Sequence, residues 1–298
     1  MNKIAKITAA VVTAAAGAVL AIGPSAHGDA ESTSGRGHYA DVNGLRMYYE
    51  VHGKDRGKPP VVLIHGAFSA TGTSWGELVG GIARTRKVIS VEQQGHGRTA
   101  DIGDRPLRLE QMAKDTADLL GKIGVRKADV WGYSMGAGVA MQMAVRHPDK
   151  VNKLVFMSAT VNNSGFHPGH LEMMDQIQPK DLYGSPFHEE YKRLNPRPEN
   201  FDLLVTKVKD MVRNTQAVPS ETIKALRAPV LTVIGDSDIV RPEHAVELFR
   251  LTGGGVVGDI TGLPNSELAV LPGTTHITAA HQQVLTTLVP AFLDRPIA

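Results

Sequence analysis

The pentapeptide Gly-Tyr-Ser-Met-Gly centred on Ser134 has the Gly-x-Ser-x-Gly pattern of an activated serine. It lies between the apolar run Ala128–Tyr133 and the helical pattern Met135–Arg146, so Ser134 is predicted to occupy a sharp turn from a strand into a helix. Glycine on either side removes side chains that would clash in such a turn. The turn presents the hydroxyl at a helix N-terminus, where free N–H groups can stabilise an oxyanion. These features favour a nucleophile over a serine that only caps a helix.

A serine hydroxyl is a poor nucleophile and needs a base, which a carboxylate in turn orients. The chain has twelve histidines from which a base could come. For the carboxylate, the apolar run Pro229–Ile234 is followed closely by Asp236 and Asp238. Either side chain could reach a histidine base, so distance along the chain does not choose between them. The sequence gives no support for an alternative acid after the run Val151–Met157, because residues 158–165 contain neither Asp nor Glu.

The composition excludes several other functions. The chain has 298 residues, of which 42% are apolar and 21% charged, which are ordinary values for a globular protein. A net charge of +2 gives no basic excess of the kind that a nucleic-acid partner requires. The absence of cysteine excludes disulfides, thiolate zinc sites and cysteine nucleophiles. We therefore expect no nucleic-acid partner and a fold stabilised by a hydrophobic core.

The first 28 residues have the pattern of a secretory signal peptide. Lys3 and Lys6 form a short basic start, and the following run is alanine-rich and free of charged residues as far as Gly28. Its apolar part is shorter than the ~20 strongly apolar residues of a membrane-spanning helix. We predict that residues 1–28 direct general secretion and are removed after Gly28 or Ala30. The mature protein would then be secreted or periplasmic, with no membrane contact.

Strand and helix patterns alternate along the rest of the chain. Asn43-Gly44 lies between two extended runs and predicts a hairpin. Six short apolar runs, typical of strands buried on both faces of a parallel sheet, are Pro60–Ile64, Lys87–Val91, Ala128–Tyr133, Val151–Met157, Pro229–Ile234 and Leu268–Leu271. The helical patterns among them are Leu109–Ile123, Met135–Arg146, Glu243–Leu251 and Val284–Leu293. This alternation predicts an α/β fold.

One segment interrupts the alternation. Residues 160–227 show no strand pattern and hold six of the seventeen prolines. Their best helical face comprises Phe201, Leu204, Val205, Val208, Met211 and Val212. Because structureless loops of this length are uncommon, we predict that residues 160–227 form a helical cap. The cap would be inserted into a core domain made of residues 38–159 and 228–298.

The same segment contains residue types that bind metals. His167 and His170 lie close to Glu172, but Pro168 and Gly169 separate the two histidines, so a helical pair of ligands is not expected. We interpret these residues as part of a cap loop and predict no metal site.

From Tyr39 to Leu293 the chain resembles the α/β-hydrolases. Besides the serine pentapeptide and the cap, the matching features are His65-Gly66, Gly95-His96-Gly97, the pattern Gly235-x-x-Asp238-x-x-x-Pro242 and a histidine after the last strand. Small-molecule esterases and lactonases, including enol-lactone hydrolases and perhydrolase-type esterases, are the most similar relatives. The resemblance implies the α/β-hydrolase fold, a mostly parallel sheet flanked by helices with an inserted helical cap. It also implies catalysis without a cofactor.

The resemblance assigns roles to individual residues. It implies that His276, which follows a predicted strand and the four-residue loop 272–275, is the base. It also implies that Asp238, with the family's spacing to Pro242, is the acid. Asp236 is then interpreted as a turn residue. His65 and His96 are expected to shape loops.

The same resemblance implies an oxyanion hole made by two backbone N–H groups. One belongs to Met135, and the other belongs to Ala67, with Phe68 as the alternative. Phe68 and Trp75 are predicted to line the substrate pocket, beside Met135.

We therefore predict a secreted serine hydrolase that cleaves a small carboxylic ester or lactone through an acyl-enzyme on Ser134. Two alternatives stay open at this point. One is hydrolysis of a carbon–carbon bond by the same triad, and the other is a ligand-binding receptor with a slow triad. The sequence does not decide the identity of the substrate or the oligomeric state.

Overall fold

The computed structural model describes residues 35–297. Its strands are β1 Arg36–Val42, β2 Leu45–His52, β3 Val61–Ile64, β4 Val88–Val91, β5 Ala128–Tyr133, β6 Val151–Met157, β7 Val230–Ser237 and β8 Ser266–Thr275. They form one sheet in the order β1-β2-β4-β3-β5-β6-β7-β8. β2 pairs antiparallel with both β1 and β4, and every other neighbouring pair is parallel. Asn43 and Gly44 turn the predicted hairpin with φ of 49° and 80°.

The helices of the described residues are α1 Thr71–Trp75, α2 Val79–Ala83, α3 Leu109–Lys122, α4 Met135–Arg146, α5 His170–Gln176, α6 Pro186–Leu194, α7 Phe201–Asn214, α8 Ser220–Lys224, α9 Pro242–Leu251, α10 Gly258–Thr261, α11 His276–Ala279 and α12 Leu285–Asp294. The four predicted helices are confirmed as α3, α4, α9 and α12, with bounds that shift by at most one residue.

The central strands are buried on both faces, as their continuous apolar runs predict. Val62 and Ile64 of β3 pack into one hydrophobic core, which contains buried residues of α3 and α4. Val61 and Leu63 pack into the other, which contains buried residues of α2 and α12. The sheet therefore lies between two layers of helices, and the predicted α/β-hydrolase architecture is confirmed.

The end of β8 differs from the prediction. Residues 272–275 are predicted as a loop, but β8 continues through Thr275, which pairs with Ser237 of β7 across an irregularity in the register. The carboxylate of Asp236 accepts hydrogen bonds from the N–H groups of Gly273 (2.9 Å) and Thr274 (3.1 Å). These bonds tie the Pro-Gly segment to β7 where Gly273 departs from strand geometry with φ 61°, and His276 then begins α11 directly.

Residues between β6 and β7 are mostly helical. Helices α5 to α8 lie there. The β-pairing that the structure describes for residues 160–227 is one isolated bridge, which joins Phe166 to Val240. The predicted apolar face of α7 is buried in the first core, apart from Val212, which is half-buried. Lys207 of α7 donates to the carbonyl oxygens of Ile102 and Arg105, both at 3.0 Å. The segment thus packs on the sheet domain, and its status as a separate domain stays a prediction.

The predicted signal peptide, residues 1–28, lies outside the described residues. Among residues 35–297, every helix is too short or too polar to cross a bilayer.

Candidate active site

Ser134 lies at a sharp turn between β5 and α4, where the pentapeptide predicts it. Its backbone has φ 54° and ψ −120°, a strained conformation for a residue with a side chain. A Cβ on Gly132 would lie 2.1 Å from the carbonyl oxygen of Gly136, and a Cβ on Gly136 would lie 2.1 Å from that of Ile64. Only glycine fits at both positions, so the two glycines allow the turn that exposes the hydroxyl.

The structure brings three predicted side chains into hydrogen-bond contact. Nε2 of His276 lies 3.0 Å from Oγ of Ser134, and Nδ1 of the same ring lies 2.8 Å from Oδ1 of Asp238. These residues follow β5, β7 and β8, whose carboxyl ends meet at one edge of the parallel sheet. In such an arrangement the imidazole can accept the serine proton while the carboxylate stabilises the resulting cation.

Asp238 is held in place by several donors. It is 5% exposed, and its Oδ2 accepts a hydrogen bond of 2.6 Å from the hydroxyl of Ser158 and a longer one, 3.4 Å, from the N–H of Gly235. Burial alone raises the pKa of this carboxyl, but the hydrogen bonds from His276 and Ser158 outweigh burial and hold the pKa below its ordinary value. The site therefore keeps a carboxylate anion beside the imidazole.

The two candidate aspartates have different surroundings. Asp236 is exposed and binds the N–H groups of Gly273 and Thr274, and these bonds lower its pKa. It thus links β7 to β8, whereas Asp238 contacts His276. The catalytic role of Asp238 and the turn role of Asp236 stay predictions.

Sequence analysis missed two residues that contact the triad. Ser158 follows β6, where only carboxylates were considered, and has φ 54°. Tyr133 occupies a variable position of the pentapeptide, and its buried hydroxyl donates a 2.8 Å hydrogen bond to the backbone carbonyl of His276. The tyrosine ring also packs against the imidazole, with 5.4 Å between ring centroids. The one available signal was the location of both residues at the ends of adjacent strands.

The predicted oxyanion donors flank the serine. A Cβ on Gly66 would lie 3.4 Å from Cβ of Ser134, so the loop that contains Ala67 and Phe68 passes next to the nucleophile. Met135 is the first residue of α4. The N–H groups of Ala67, Phe68 and Met135 are not used in the backbone hydrogen bonds that the structure describes. All three remain candidate donors to an oxyanion.

His65 and His96 shape the loops after β3 and β4. Nδ1 of His65 donates to the carbonyl of Gly66 at 2.7 Å, and its Nε2 accepts from the N–H of Gln93 at 3.0 Å. Nδ1 of His96 donates to the carbonyl of Gln94 at 2.9 Å. Burial lowers the pKa of His65 to about 3 and the pKa of His96 to about 4, so both rings are neutral.

The predicted pocket wall is corrected at one position. Trp75 is 0% exposed and packs in the second core against Trp131, with 5.1 Å between ring centroids. As the last residue of α1, it faces the sheet and cannot line an open pocket. Phe68 is half-buried with φ 63°, and its place in the pocket stays a prediction.

The histidines of the cap do not assemble a metal site. His170 begins α5 and stacks on Phe166, with 5.0 Å between ring centroids. Within residues 35–297, no three histidine or acidic side chains are grouped so that they could hold a metal ion.

Known proteins match this chain in sequence and in structure. Residues 59–201 match a family described as the alpha/beta hydrolase fold. A protein of Azorhizobium caulinodans that carries the name carbamate hydrolase RutD is 25% identical over 265 residues, which cover 81% of this chain and 92% of the relative.

Two solved structures are similar in fold. A meta-cleavage product hydrolase from Pseudomonas fluorescens has a TM-score of 0.67 and 19% identity, with 84% of this chain and 95% of that chain covered. An enol-lactonase from Burkholderia xenovorans has a TM-score of 0.63 and 18% identity, with 87% of this chain and 100% of that chain covered.

Proposed function

Because this chain is a hydrolase with the α/β-hydrolase fold, we propose that it cleaves a small carboxylic ester or lactone through an acyl-enzyme on Ser134. One observation carries the proposal. The imidazole of His276 contacts the Ser134 hydroxyl through one nitrogen, at 3.0 Å, and the Asp238 carboxylate through the other, at 2.8 Å. Because the Asp238 carboxylate accepts a hydrogen bond from the proton-bearing Nδ1 of the ring, Nε2 is the nitrogen that is free to accept the serine proton.

The reaction has two acyl-transfer steps. Ser134 Oγ bonds to the substrate carbonyl carbon as its proton moves to Nε2 of His276, and the N–H groups of Ala67 and Met135 bind the carbonyl oxygen as it becomes negative. The carbon–oxygen bond to the leaving alcohol then breaks, and His276 gives that alcohol its proton. Water attacks the acyl-enzyme with His276 again as base, which releases the acid and restores Ser134. For a lactone, the alcohol and the acid are ends of one product.

The substrate class includes more than simple esters. A carbamate also presents a carbonyl carbon to a serine nucleophile, and a relative that aligns over 92% of its own length is named for carbamate hydrolysis. Carbamates therefore belong in the substrate panel as a second candidate. The proposed reaction needs no cofactor, because proton transfer and oxyanion binding are supplied by groups of the protein.

We also propose that the protein is exported. Lys3, Lys6 and the uncharged alanine-rich run to Gly28 support this proposal. The substrate would then be met outside the cytoplasm.

A substrate panel with the purified protein tests the function. Aryl esters, lactones, aryl carbamates and a vinylogous diketone are each incubated with wild type and with Ser134→Ala, and the products are measured. We expect ester or lactone turnover that Ser134→Ala reduces by about 10⁶-fold in kcat, as in serine hydrolases that lose the nucleophile. Turnover of the diketone alone would identify a carbon–carbon hydrolase, and binding without turnover would identify a receptor.

A further inference from the structure

Glu190 connects the segment between β6 and β7 to a loop beside the nucleophile. It lies on α6, and its side chain is only 10% exposed. Its Oε2 accepts a hydrogen bond of 3.1 Å from the N–H of Ala70 and a short one from the hydroxyl of Thr73. Ala70 immediately precedes α1, and Thr73 lies in its first turn. The carboxylate therefore binds residues about 120 positions away in the sequence.

No local side chain caps the start of α1. The residue before the helix is Ala70, whose methyl group cannot accept a hydrogen bond. Glu190 supplies the acceptor for the Ala70 N–H, and Gly72 leaves it room, because a Cβ there would lie 3.0 Å from Oε1 of Glu190. Glu190 thus accepts from the N–H of the residue that precedes α1, as a first-turn side chain does in a capping box, and Gly72 leaves room for its carboxylate.

The start of α1 is linked to the loop of residues 66–70, which we call the oxyanion loop. The hydroxyl of Ser69 donates to the carbonyl of Gly66 at 2.9 Å and lies 2.7 Å from the hydroxyl of Ser74 in α1. The Gly66 N–H is 3.4 Å from the same Ser74 oxygen. A Cβ on Gly66 would lie 3.4 Å from Cβ of Ser134, so the loop that Glu190 contacts through Ala70 passes next to the nucleophile.

We propose that Glu190 is a positioning residue that holds the oxyanion loop from the cap segment. The inference rests on the proposed function, in which an N–H group of this loop binds the oxyanion. An oxyanion donor stabilises the transition state only when its position is fixed beforehand. Removal of the carboxylate releases Ala70 and allows the loop to move away from Ser134. Glu190 thereby makes the rate of acyl transfer depend on the docking of the cap segment.

Kinetics with matched variants tests the proposal. We expect Glu190→Ala to lower kcat on the best ester about tenfold with KM changed by less than twofold, because loosening the loop weakens transition-state binding more than substrate binding. Glu190→Gln keeps an oxygen acceptor for the Ala70 N–H and should restore most of the lost rate. Thr73→Val removes one donor to the same carboxylate and should lower kcat by a smaller factor, even if Glu190→Ala fails to fold.

Two control variants separate this effect from general damage to the cap. Asp210→Ala removes a different contact between α7 and the sheet domain, the part-exposed ion pair of Asp210 with Arg108 at 2.8 Å. Glu189→Gln changes the exposed neighbour of Glu190 on the same helix. Both should keep kcat within twofold of wild type. If Asp210→Ala lowers kcat as much as Glu190→Ala does, or if Glu190→Ala keeps the wild-type kcat, the proposal is overturned.

Hydrogen–deuterium exchange separates this proposal from the proposed function. Amides of residues 66–75 should exchange faster in Glu190→Ala than in wild type, and equally fast in Glu189→Gln and wild type. This readout needs no substrate. If wild type hydrolyses nothing in the panel, the proposed function fails, while faster exchange still supports the link to the loop. Unchanged exchange in Glu190→Ala overturns the inference whatever the activity.

Discussion

Ser158 donates a 2.6 Å hydrogen bond to Oδ2 of Asp238, while Nδ1 of His276 contacts the other carboxylate oxygen at 2.8 Å. Both oxygens of this buried carboxylate are thus bound, so its orientation toward the imidazole is fixed. A hydrogen bond to a charged group contributes about 1.5–3 kcal/mol, and part of that energy should appear in the transition state, where the imidazole is positive.

We expect Ser158→Ala to lower kcat about tenfold, which is about 1.4 kcal/mol of transition-state stabilisation. KM should change little, because Ser158 contacts the acid and not the substrate. Steady-state kinetics on the best ester measures both constants. Ser164→Ala is the matched control, since that exposed hydroxyl binds only Asn162, at 2.6 Å. An unimpaired Ser158→Ala enzyme would show that the bond does not orient Asp238.

Asp238→Asn and Asp236→Asn distinguish the two aspartates by function. An amide at position 238 favours the imidazole tautomer that cannot accept the serine proton, an effect of about 10⁴-fold in kcat in the well-studied serine protease case. Asp236→Asn keeps one oxygen, which can accept from one of the Gly273 and Thr274 N–H groups, and should retain most of the activity because position 236 does not contact His276. The measurements are kcat and circular dichroism for both variants. Reversed effects would make Asp236 the acid, and two fully active variants would remove Asp238 from the mechanism.

Tyr133→Phe tests whether the hydroxyl positions the base. The tyrosine donates a 2.8 Å bond to the carbonyl of His276, and a neutral hydrogen bond is worth about 1 kcal/mol. We expect kcat to fall about fivefold with unchanged KM. Tyr183→Phe removes a hydroxyl with the same 2.8 Å bond length, to Asp202, but on the exposed surface of the cap segment. Equal losses in the two variants would mean that Tyr133 has no specific role.

The sequence predicts those parts of the site that are local in the chain. The turn at Ser134 needs glycines within two residues, and the strands before the acid and the base are recognisable from their apolar runs. The choice of Asp238 and His276 themselves rests on the resemblance to the α/β-hydrolases. Ser158 and Tyr133 could not be found in this way, because their partners lie 80 and 143 residues away. Which strand ends meet depends on the order of strands in the sheet, and that order is set by packing.

Side-chain direction explains the incorrect prediction for Trp75. The sequence predicts Trp75 as a pocket wall, but α1 has only five residues and turns its last one into the core beside Trp131. In the extension of β8 through residues 272–275, the N–H groups of Gly273 and Thr274 donate hydrogen bonds to Asp236 on another strand. Contacts between distant segments therefore decided both details.

Export predicts a defined N-terminus. Full-length protein produced in a bacterium should reach the periplasm or medium and begin near Asp29 or Glu31, as measured by mass spectrometry of the intact protein. Val12→Arg places a charge in the apolar run and should keep the protein in the cytosol, because the run must stay apolar for secretion. Wild-type protein found only in the cytosol with Met1 intact would contradict the localisation.

The neutral buried histidines predict a loss of stability in acid. Burial lowers the pKa of His96 to about 4 from an ordinary 6.5, so between these values the unfolded chain binds a proton that the folded protein does not. The free energy of unfolding must then fall as pH decreases from 6.5, by about 1.4 kcal/mol per pH unit for each such histidine. Urea unfolding of wild type and His96→Asn at pH 5, 6 and 7.5 measures this slope. Below pH 6, the free energy of unfolding should change with pH less steeply in His96→Asn than in wild type, by about 1.4 kcal/mol per pH unit. Equal slopes in the two proteins would contradict the prediction.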